Sequence, residues 1–511
     1  MEILRVGVQM FQKLSFVMTE GSLRRSSRLE AVAVLFLGVL IVFSATAMAD
    51  WVRGLDTGVE ALKRGDYDEA IRIYTRVIEV GRLSPDMQIT AHENRGTAYL
   101  LTGRYDLAIA DYSKVIQLNP KKADAYYNRG SAYCSNGQHD LAIADFSTEI
   151  RLTPEDAEAY YGRGTCYFQK GQHDRAIADL SKAIHLKLDY AEAFNNRGSV
   201  YDKINRSDLA LADYSTAIRL KPDNSAAYYN RGTLYIKTEQ YDHAVTDLTE
   251  VIRLKPRDAA AYHYRGTVYS IIGKYEQAAA DFSEVIHLDP THSKAYYNRG
   301  NVYALLGQSD KAIADYSMAI QLRPDDVDAF YNRGSLSFQK GEYEHAIADL
   351  DVVIRLKPDF SKAYISRGVG RFILGRFKDA VADFEQRLKL DPLNSYAAIW
   401  SHIARNKAGD ADIEVLRRTA AKADRNKWPG PVLALYLGEM SPEQVRSAAT
   451  RGDAKNQEGL RCQADFYIAQ YELQRKNNTD GSRLLKAVAD RCQKDLLEQK
   501  AAVAELGRVG R

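Results

Sequence analysis

Asparagine recurs at residues 94, 128, 196, 230, 298 and 332, always a multiple of 34 apart. An amide side chain carries one acceptor carbonyl and two N–H donors, so a spaced row of amides can pair with both sides of peptide groups in an extended chain. Tyr127, Tyr229, Tyr297 and Tyr331 each stand one residue ahead of one of these asparagines, offering rigid amphipathic rings beside the row. Asn94, Asn128, Asn196, Asn230, Asn298 and Asn332, with those four tyrosines, are the candidate peptide-binding residues. Arg and Asp recur with the same period. Their uniformity reads as a structural ladder of ion pairs between helices rather than a ligand site. Nothing has the spacing of a catalytic group. Gly-rich phosphate loops, His-Glu-x-x-His, Gly-x-Ser-x-Gly and Cys-x-x-Cys are all missing from the sequence, so no enzyme, catalytic residue, cofactor, metal site or small-molecule substrate is expected. His139 and His173 share one phase of the period and read as turn-surface residues.

The elements that carry the row follow from the period. Arg95-Gly96 recurs as Arg-Gly at 129, 163, 197, 231, 265, 299, 333 and 367, in steps of 34. Ala108 and Asp111 begin equally regular series, and Pro closes every unit except the one with Leu188. Numbering a unit from Ala123, positions 4, 7, 8 and 11 share one helical face, and positions 20, 24, 27 and 28 share a face of a second helix. A turn, often marked by Gly at position 15, separates them. Gly130 at position 8 and Ala142 at position 20 are small because two helices approach closely there. Pro at position 32 ends the second helix, having no N–H to continue it. A helix pair cannot bury its face alone, so neighbours are expected to stack.

In that frame positions 2, 6, 9 and 13 lie roughly 140–200° from position 4. They should point into the inner groove, away from the packing. Packed helices lie about 8–10 Å apart and an extended chain advances about 3.3 Å per residue, so one Asn meets every third peptide unit.

The pattern resembles the tetratricopeptide repeat. It divides residues 89–394 into nine units: 89–122, 123–156, 157–190, 191–224, 225–258, 259–292, 293–326, 327–360 and 361–394. A divergent first unit, 50–88, has four extra residues expected in a loop at 81–88. Residues 395–511 form a helical C-terminal region with degenerate pairs, at 397–405 and 412–423 among others. The fold class is all-α: a superhelical solenoid of about ten repeats with a helical cap. The resemblance implies a non-enzymatic scaffold for proteins or extended peptides, and an Asn row of this kind resembles the groove of peptide-holding members. Trp428-Pro429, the run 435–441, Ala464 to Ile468 and Leu496 to Leu506 are similar to the C-terminal end of NlpI-type envelope adaptors. That similarity implies an alternative: a membrane-anchored accessory subunit of a cell-envelope enzyme or assembly complex, in the manner of a peptidoglycan-hydrolase adaptor.

The compartment is read from the N-terminus. Arg24, Arg25 and Arg28 precede an apolar run from Ala31 to Phe43, followed by Ala47-Met48-Ala49. A charged n-region, a short apolar core and a small-x-small site make residues 1–49 a signal peptide. The expected location is periplasmic or secreted; the alternative is an inner-membrane anchor through residues 31–48. Without residues 1–49, which hold five basic and three acidic side chains, Lys+Arg and Asp+Glu number 65 and 64. Such a balance gives no electrostatic footprint for nucleic acid.

Four cysteines in 511 residues are too few for a disulfide scaffold. Cys134 and Cys166, at positions 12 and 10 of neighbouring units, read as free thiols. Cys462 opens a helix running to about Gln474, and Cys492 closes one running from about Ser482. In an antiparallel hairpin those ends meet, so a Cys462–Cys492 disulfide is expected.

Overall fold

The computed structural model describes residues 53–79, 83–410, 412–451, 454–494 and 496–509. Residues 1–49, read from the sequence as a signal peptide or an anchor, lie outside them. The described residues form 27 helices and no strand. No helix among them is long and apolar enough to cross a membrane. The chain divides into two compact units, Met1–Glu239 and Gln240–Arg511.

In the first unit, a helix at 53–63 and Tyr67–Glu79 precede four helix pairs. These are Pro85–Leu101 with Tyr105–Leu118, Ala123–Ser135 with His139–Leu152, Ala157–Gln169 with His173–Leu186, and Ala191–Lys203 with Ser207–Leu220. Ser225–Lys237 ends the unit. The second unit opens with Tyr241–Leu254 and continues with four pairs. They are Ala259–Ile271 with Tyr275–Leu288, Ser293–Leu305 with Ser309–Leu322, Val327–Lys340 with Tyr343–Leu356, and Ser361–Ile373 with Phe377–Leu390. Ser395–Lys407 and the one-and-a-half-turn Glu414–Ala420 follow, then the cap.

One repeat shows why the pattern folds this way. Ala125, Ala132 and Ala142 are wholly buried, so the two helices meet through small side chains. Gly137 turns the chain at φ +75°, a left-handed conformation open to Gly at no steric cost. Asn205 stands at the same phase with φ +59° and tolerates it less well. At position 8 the glycine is a matter of space. A Cβ on Gly198 would lie 2.8 Å from the Tyr214 ring.

Of the loop expected at 81–88, residues 81 and 82 lie outside the described residues and residues 85–88 are helical. They extend the first helix to Pro85–Leu101, 17 residues against 13 in the repeats that follow. Ser84 caps it, accepting from the Met87 N–H at 3.3 Å, and Pro85 takes the N1 position that suits it. A cap and a pre-set φ at the start outweighed the expected turn.

The cap begins where Trp400 is buried. Its ring lies 5.3 Å from Phe372 and 6.0 Å from Phe384 in the last full repeat, and 5.3 Å from Phe466. Gly430–Tyr436, Pro442–Ala448, Ala454–Gln474, Asn478–Arg491 and Leu497–Val509 complete it. Tyr467 donates to Glu498 Oε1 at 2.8 Å, and Tyr436 donates to the Tyr467 carbonyl at 2.9 Å, both bonds buried. The helix expected from Cys462 begins eight residues earlier, at Ala454. Cys462 is joined to Cys492, their Cα atoms 5.9 Å apart.

Cys134 and Cys166 depart from the free-thiol expectation: the structure joins them as well, Cα atoms 6.3 Å apart. They sit on first helices of consecutive repeats, at positions 12 and 10, where those helices lie side by side.

Two outcomes follow. Gly198→Ala should lower the unfolding free energy by about 1–3 kcal/mol, as overpacking does, whereas Gly459→Ala, in open space on a helix, should be neutral or stabilising; denaturant midpoints compare them. Reducing Cys462–Cys492, which closes a loop of 30 residues, should remove about 3–4 kcal/mol of chain-entropy stabilisation. Hydrogen exchange should then rise within 454–509 and stay unchanged in residues 259–356.

Candidate functional site: the face of the first helices

The frame behind the face is a three-point clamp at each Arg of position 7. Arg129 donates from Nε and Nη2 to the two oxygens of Asp145 at 2.7 and 2.8 Å, and from Nη1 to Ser113 Oγ of the preceding repeat at 3.0 Å. Arg163, Arg197, Arg265, Arg299 and Arg333 repeat it with Asp179, Asp213, Asp281, Asp315 and Asp349. The third partners are Ser147, Ser181, Thr249, Ser283 and Ser317, at 2.9–3.0 Å. Each guanidinium also faces the ring at position 4, as Arg129 does Tyr126 at 5.8 Å, and usually the one at position 11, here Tyr133 at 5.7 Å. The Arg–Asp pairs are structural, and the Ser/Thr at position 25 is the partner that sequence reasoning passed over. Its 34-residue recurrence was the available signal.

Two ends of the ladder differ. At Asp111 burial pushes the carboxyl up, but hydrogen bonds from Arg95 and His92 outweigh it and hold the carboxyl below its ordinary range. At Asp383 burial prevails over Arg367 and Arg371, and the carboxyl is raised.

The asparagines sit half-buried on the first helices, but they are not turned away from the packing. Asn196 Nδ2 donates to Tyr161 Oη at 3.0 Å and Thr165 Oγ1 at 3.2 Å, both on the preceding first helix. Asn230 donates to Asn195 Oδ1 at 3.0 Å, and Asn332 to Tyr297 Oη at 3.3 Å and Asn301 Oδ1 at 3.1 Å. Position 6 thus reaches back to positions 5 and 9 of the previous repeat, because adjacent first helices are close enough for an amide to bridge them. Asn94 stands near Tyr74, whose hydroxyl burial pushes up to about 12. Asn128 and Asn298 occupy equivalent half-buried sites.

The tyrosines are likewise built into the stack. Tyr127 meets Phe146 edge-on at 5.7 Å, and burial first, then Glu158, pushes its hydroxyl up to about 12. Tyr297 lies 5.9 Å from Tyr316, and Tyr331 lies 5.0 Å from Phe360. Tyr229 is half-buried at the equivalent place. Several charges at position 2 are paired within their repeats, Glu192 with Lys221 at 3.0 Å among them.

The side chains on this face with the most exposed apolar surface are at position 13, where Leu101, Ile271 and Leu305 are 57%, 52% and 61% exposed. In the second unit the face also meets a cavity of about 410 Å³, whose lining includes Tyr331, Lys362, Arg387, Tyr396, Gln463 and Glu498. Arg387 bonds Asp391 through Nη2 at 3.0 Å while its buried Nη1 has no hydrogen-bond partner.

Comparison with known proteins agrees with this geometry. Tetratricopeptide repeat profiles match residues 61–87, 127–191, 191–224, 225–258, 293–326 and 327–360, and TPR repeat profiles match 96–134 and 266–307. The chain belongs to the tetratricopeptide repeat family. Among solved structures it is similar to YrrB, described as a TPR protein with an unusual peptide-binding site, at 29% identity over 36% of this chain and 95% of that one, with a TM-score of 0.34. It is similar to MamA at 30% identity over 32% and 96% of the two chains, TM-score 0.30. A third is a tetratricopeptide repeat protein from Parabacteroides merdae, at 17% identity over 49% and 99%, TM-score 0.36. Tetratricopeptide arrays are in general non-enzymatic scaffolds, and a fold of this kind supports protein–protein interaction in general.

Two repeats break the packing rule at position 27, the last with the half-buried Arg387 of the cavity and one with a buried carboxyl. Val115, Ala183, Val251, Val285, Ala319 and Val353 are buried there, but the second tetratricopeptide unit has Glu149, 1% exposed with Oε2 unpaired. Burial, and then Asp156 beside it, push its carboxyl from 4.5 up to about 8. A carboxyl raised in the folded state holds its proton better folded than unfolded. Its stabilisation is full below pH 4.5 and is lost as pH rises through about 8. Wild-type stability should therefore fall between pH 5 and 8 relative to Glu149→Gln, and denaturant midpoints across that range measure it.

Proposed function

We propose that the chain is a scaffold that holds partner proteins through extended segments laid along the first-helix face. The observation that carries this reading is the continuity, within the second unit, of that face with the cavity beside the cap. Exposed Ile271 and Leu305 offer apolar footholds along the face. The cavity offers aromatic walls, the Lys362 ammonium and the Arg387 guanidinium, a setting for a carboxylate or acidic side chain of the segment. Because the amide donors of Asn196, Asn230 and Asn332 bridge repeats, the asparagine row would act on a partner mainly through its carbonyl oxygens, accepting from peptide N–H groups.

The compartment belongs to the same proposal: the scaffold works outside the inner membrane after cleavage at Ala49, on the strength of the N-terminal residue pattern. The C-terminal residue order supports a second reading, an anchored accessory subunit of an envelope complex. N-terminal sequencing separates them: Asp50 as the first residue supports the exported scaffold, and a retained apolar run supports the anchored subunit.

The binding reading is tested with peptides selected against the full mature chain from a displayed random library. Leu305→Asp and Lys362→Glu alter exposed side chains, so helicity should be unchanged and the Kd of selected peptides should rise at least tenfold. Peptides whose affinity ignores both changes would remove the face from consideration.

A further inference from the structure

Three residues depart from the repeat together at one place. Position 12 is elsewhere Leu100, Phe168, Asp202, Ile236, Ser270, Ala304, Phe338 or Phe372, but it is Cys134 in the second unit. Position 10 is otherwise Ala98, Ala132, Val200, Leu234, Val268, Val302, Leu336 or Gly370, but it is Cys166 in the third. Position 17 is Tyr, Ser or Phe in seven of nine units, and His139 in the second. Position 12 and position 17 of one repeat meet position 10 of the next. Both Sγ atoms and one imidazole nitrogen accordingly lie within 4.8 Å of one another, with His139 Nδ1 4.0 Å from Cys134 Sγ.

We propose that Cys134, Cys166 and His139 bind a thiophilic d10 cation, Cu⁺ or Zn²⁺, when the Cys134–Cys166 disulfide is reduced. Two thiolates and an imidazole are the donors such cations favour, at about 2.3 Å for sulfur and 2.0–2.1 Å for nitrogen around zinc. Those lengths place ligand atoms about 3.5–3.8 Å apart around a tetrahedral ion. The imidazole is already near that separation, and cleavage of the S–S bond lets the sulfurs part to it. Gln169 Oε1, 3.4 Å from Cys134 Sγ, supplies an oxygen donor for a four-coordinate ion, whereas three-coordinate Cu⁺ needs none. Cys166 is wholly buried beside Ala142 and Phe146, a dry wall that strengthens the ion–thiolate attraction. Cys134 and His139 are half-buried and give the ion its way in.

Reduction is thiol–disulfide exchange with an external dithiol. Its thiolate attacks one sulfur, the Cys134–Cys166 bond breaks, and the mixed disulfide is resolved by the reductant's second thiolate. Two electrons and two protons pass to the protein, and the reductant leaves as its own disulfide. Cation binding then releases the two thiol protons, with no electron transfer. The disulfide and the ion-bound site exclude one another, so the pair reports the redox state of its surroundings.

The test uses the full mature chain, reduced or oxidised, with Zn²⁺ alone or Cu⁺ alone, and counts metal retained after desalting. Competition with a chromogenic chelator gives affinity. The reduced chain should retain one equivalent that the oxidised chain lacks. Cys134→Ser should weaken binding at least a hundredfold and His139→Ala at least tenfold, both with unchanged circular dichroism. Cys166→Ala, at a position other repeats fill with Ala, serves if the serine variant misfolds. Equal retention by the oxidised chain, or loss insensitive to Cys134 or His139, would overturn the site.

Discussion

Each repeat is tied to its neighbour by a single guanidinium. Arg at position 7 donates three hydrogen bonds, two to an aspartate in its own second helix and one to a hydroxyl on the second helix before it, and its flat faces meet aromatic rings. The arginine side chains are 13–24% exposed and their aspartates 3–11%. A buried ion pair contributes little net stability, but removing one partner strands the other, at a cost of about 3–5 kcal/mol. The clamp therefore acts chiefly as a register device. A repeat rotated or slipped by one residue would leave a charge in the core. Close approach at positions 8 and 20 depends on that register, since Gly and Ala leave contact surfaces with no slack.

The clamp also explains where the ladder stops. At position 25 the last full repeats carry Asp351 and Glu385 in place of Ser or Thr. Arg367 then bonds Asp351 at 2.5 Å in addition to Asp383. The next first helix has Ser401 at position 7, wholly buried and unpaired, so no guanidinium continues the series. Trp400 beside it is the ring onto which the cap packs. The change from charge-locked repeats to an aromatic core is thus written at two adjacent residues.

Most of this fold was legible because the array is redundant. Nine copies of one 34-residue pattern average away the ambiguity that a lone helix carries, so helix ends, small contacts and the Arg–Asp pairs could be read directly. Features that occur once could not. The helix at Pro85 lengthened through a local cap, and the Cys134–Cys166 contact depends on the spacing between two first helices. The asparagine row was half legible. Its helical phase was correct, but phase alone cannot say whether an amide at the edge of a face reaches outward or bridges to the helix behind it. At helix spacings set by Gly and Ala, the bridge is within reach.

That bridging separates two kinds of position on the same face. An amide at position 6 that links consecutive helices belongs to the stack, although Gly162, Tyr264 and Ser366 replace it in three of the nine repeats. Position 13 is tied to the preceding repeat only in places, where Gln169 reaches Cys134 and Lys237 reaches Asp202 and Asn205. It runs Leu101, Ser135, Gln169, Lys203, Lys237, Ile271, Leu305 and Gln339, changing in charge and polarity while the clamp behind it stays the same. Leu101 to Leu305 are exposed, so where no such contact is made a substitution alters the outer face alone. Position 13 is therefore one place where the face changes from repeat to repeat. The asparagines and tyrosines first singled out are engaged in the packing between repeats, Asn196 with Tyr161 and Asn332 with Tyr297 among them.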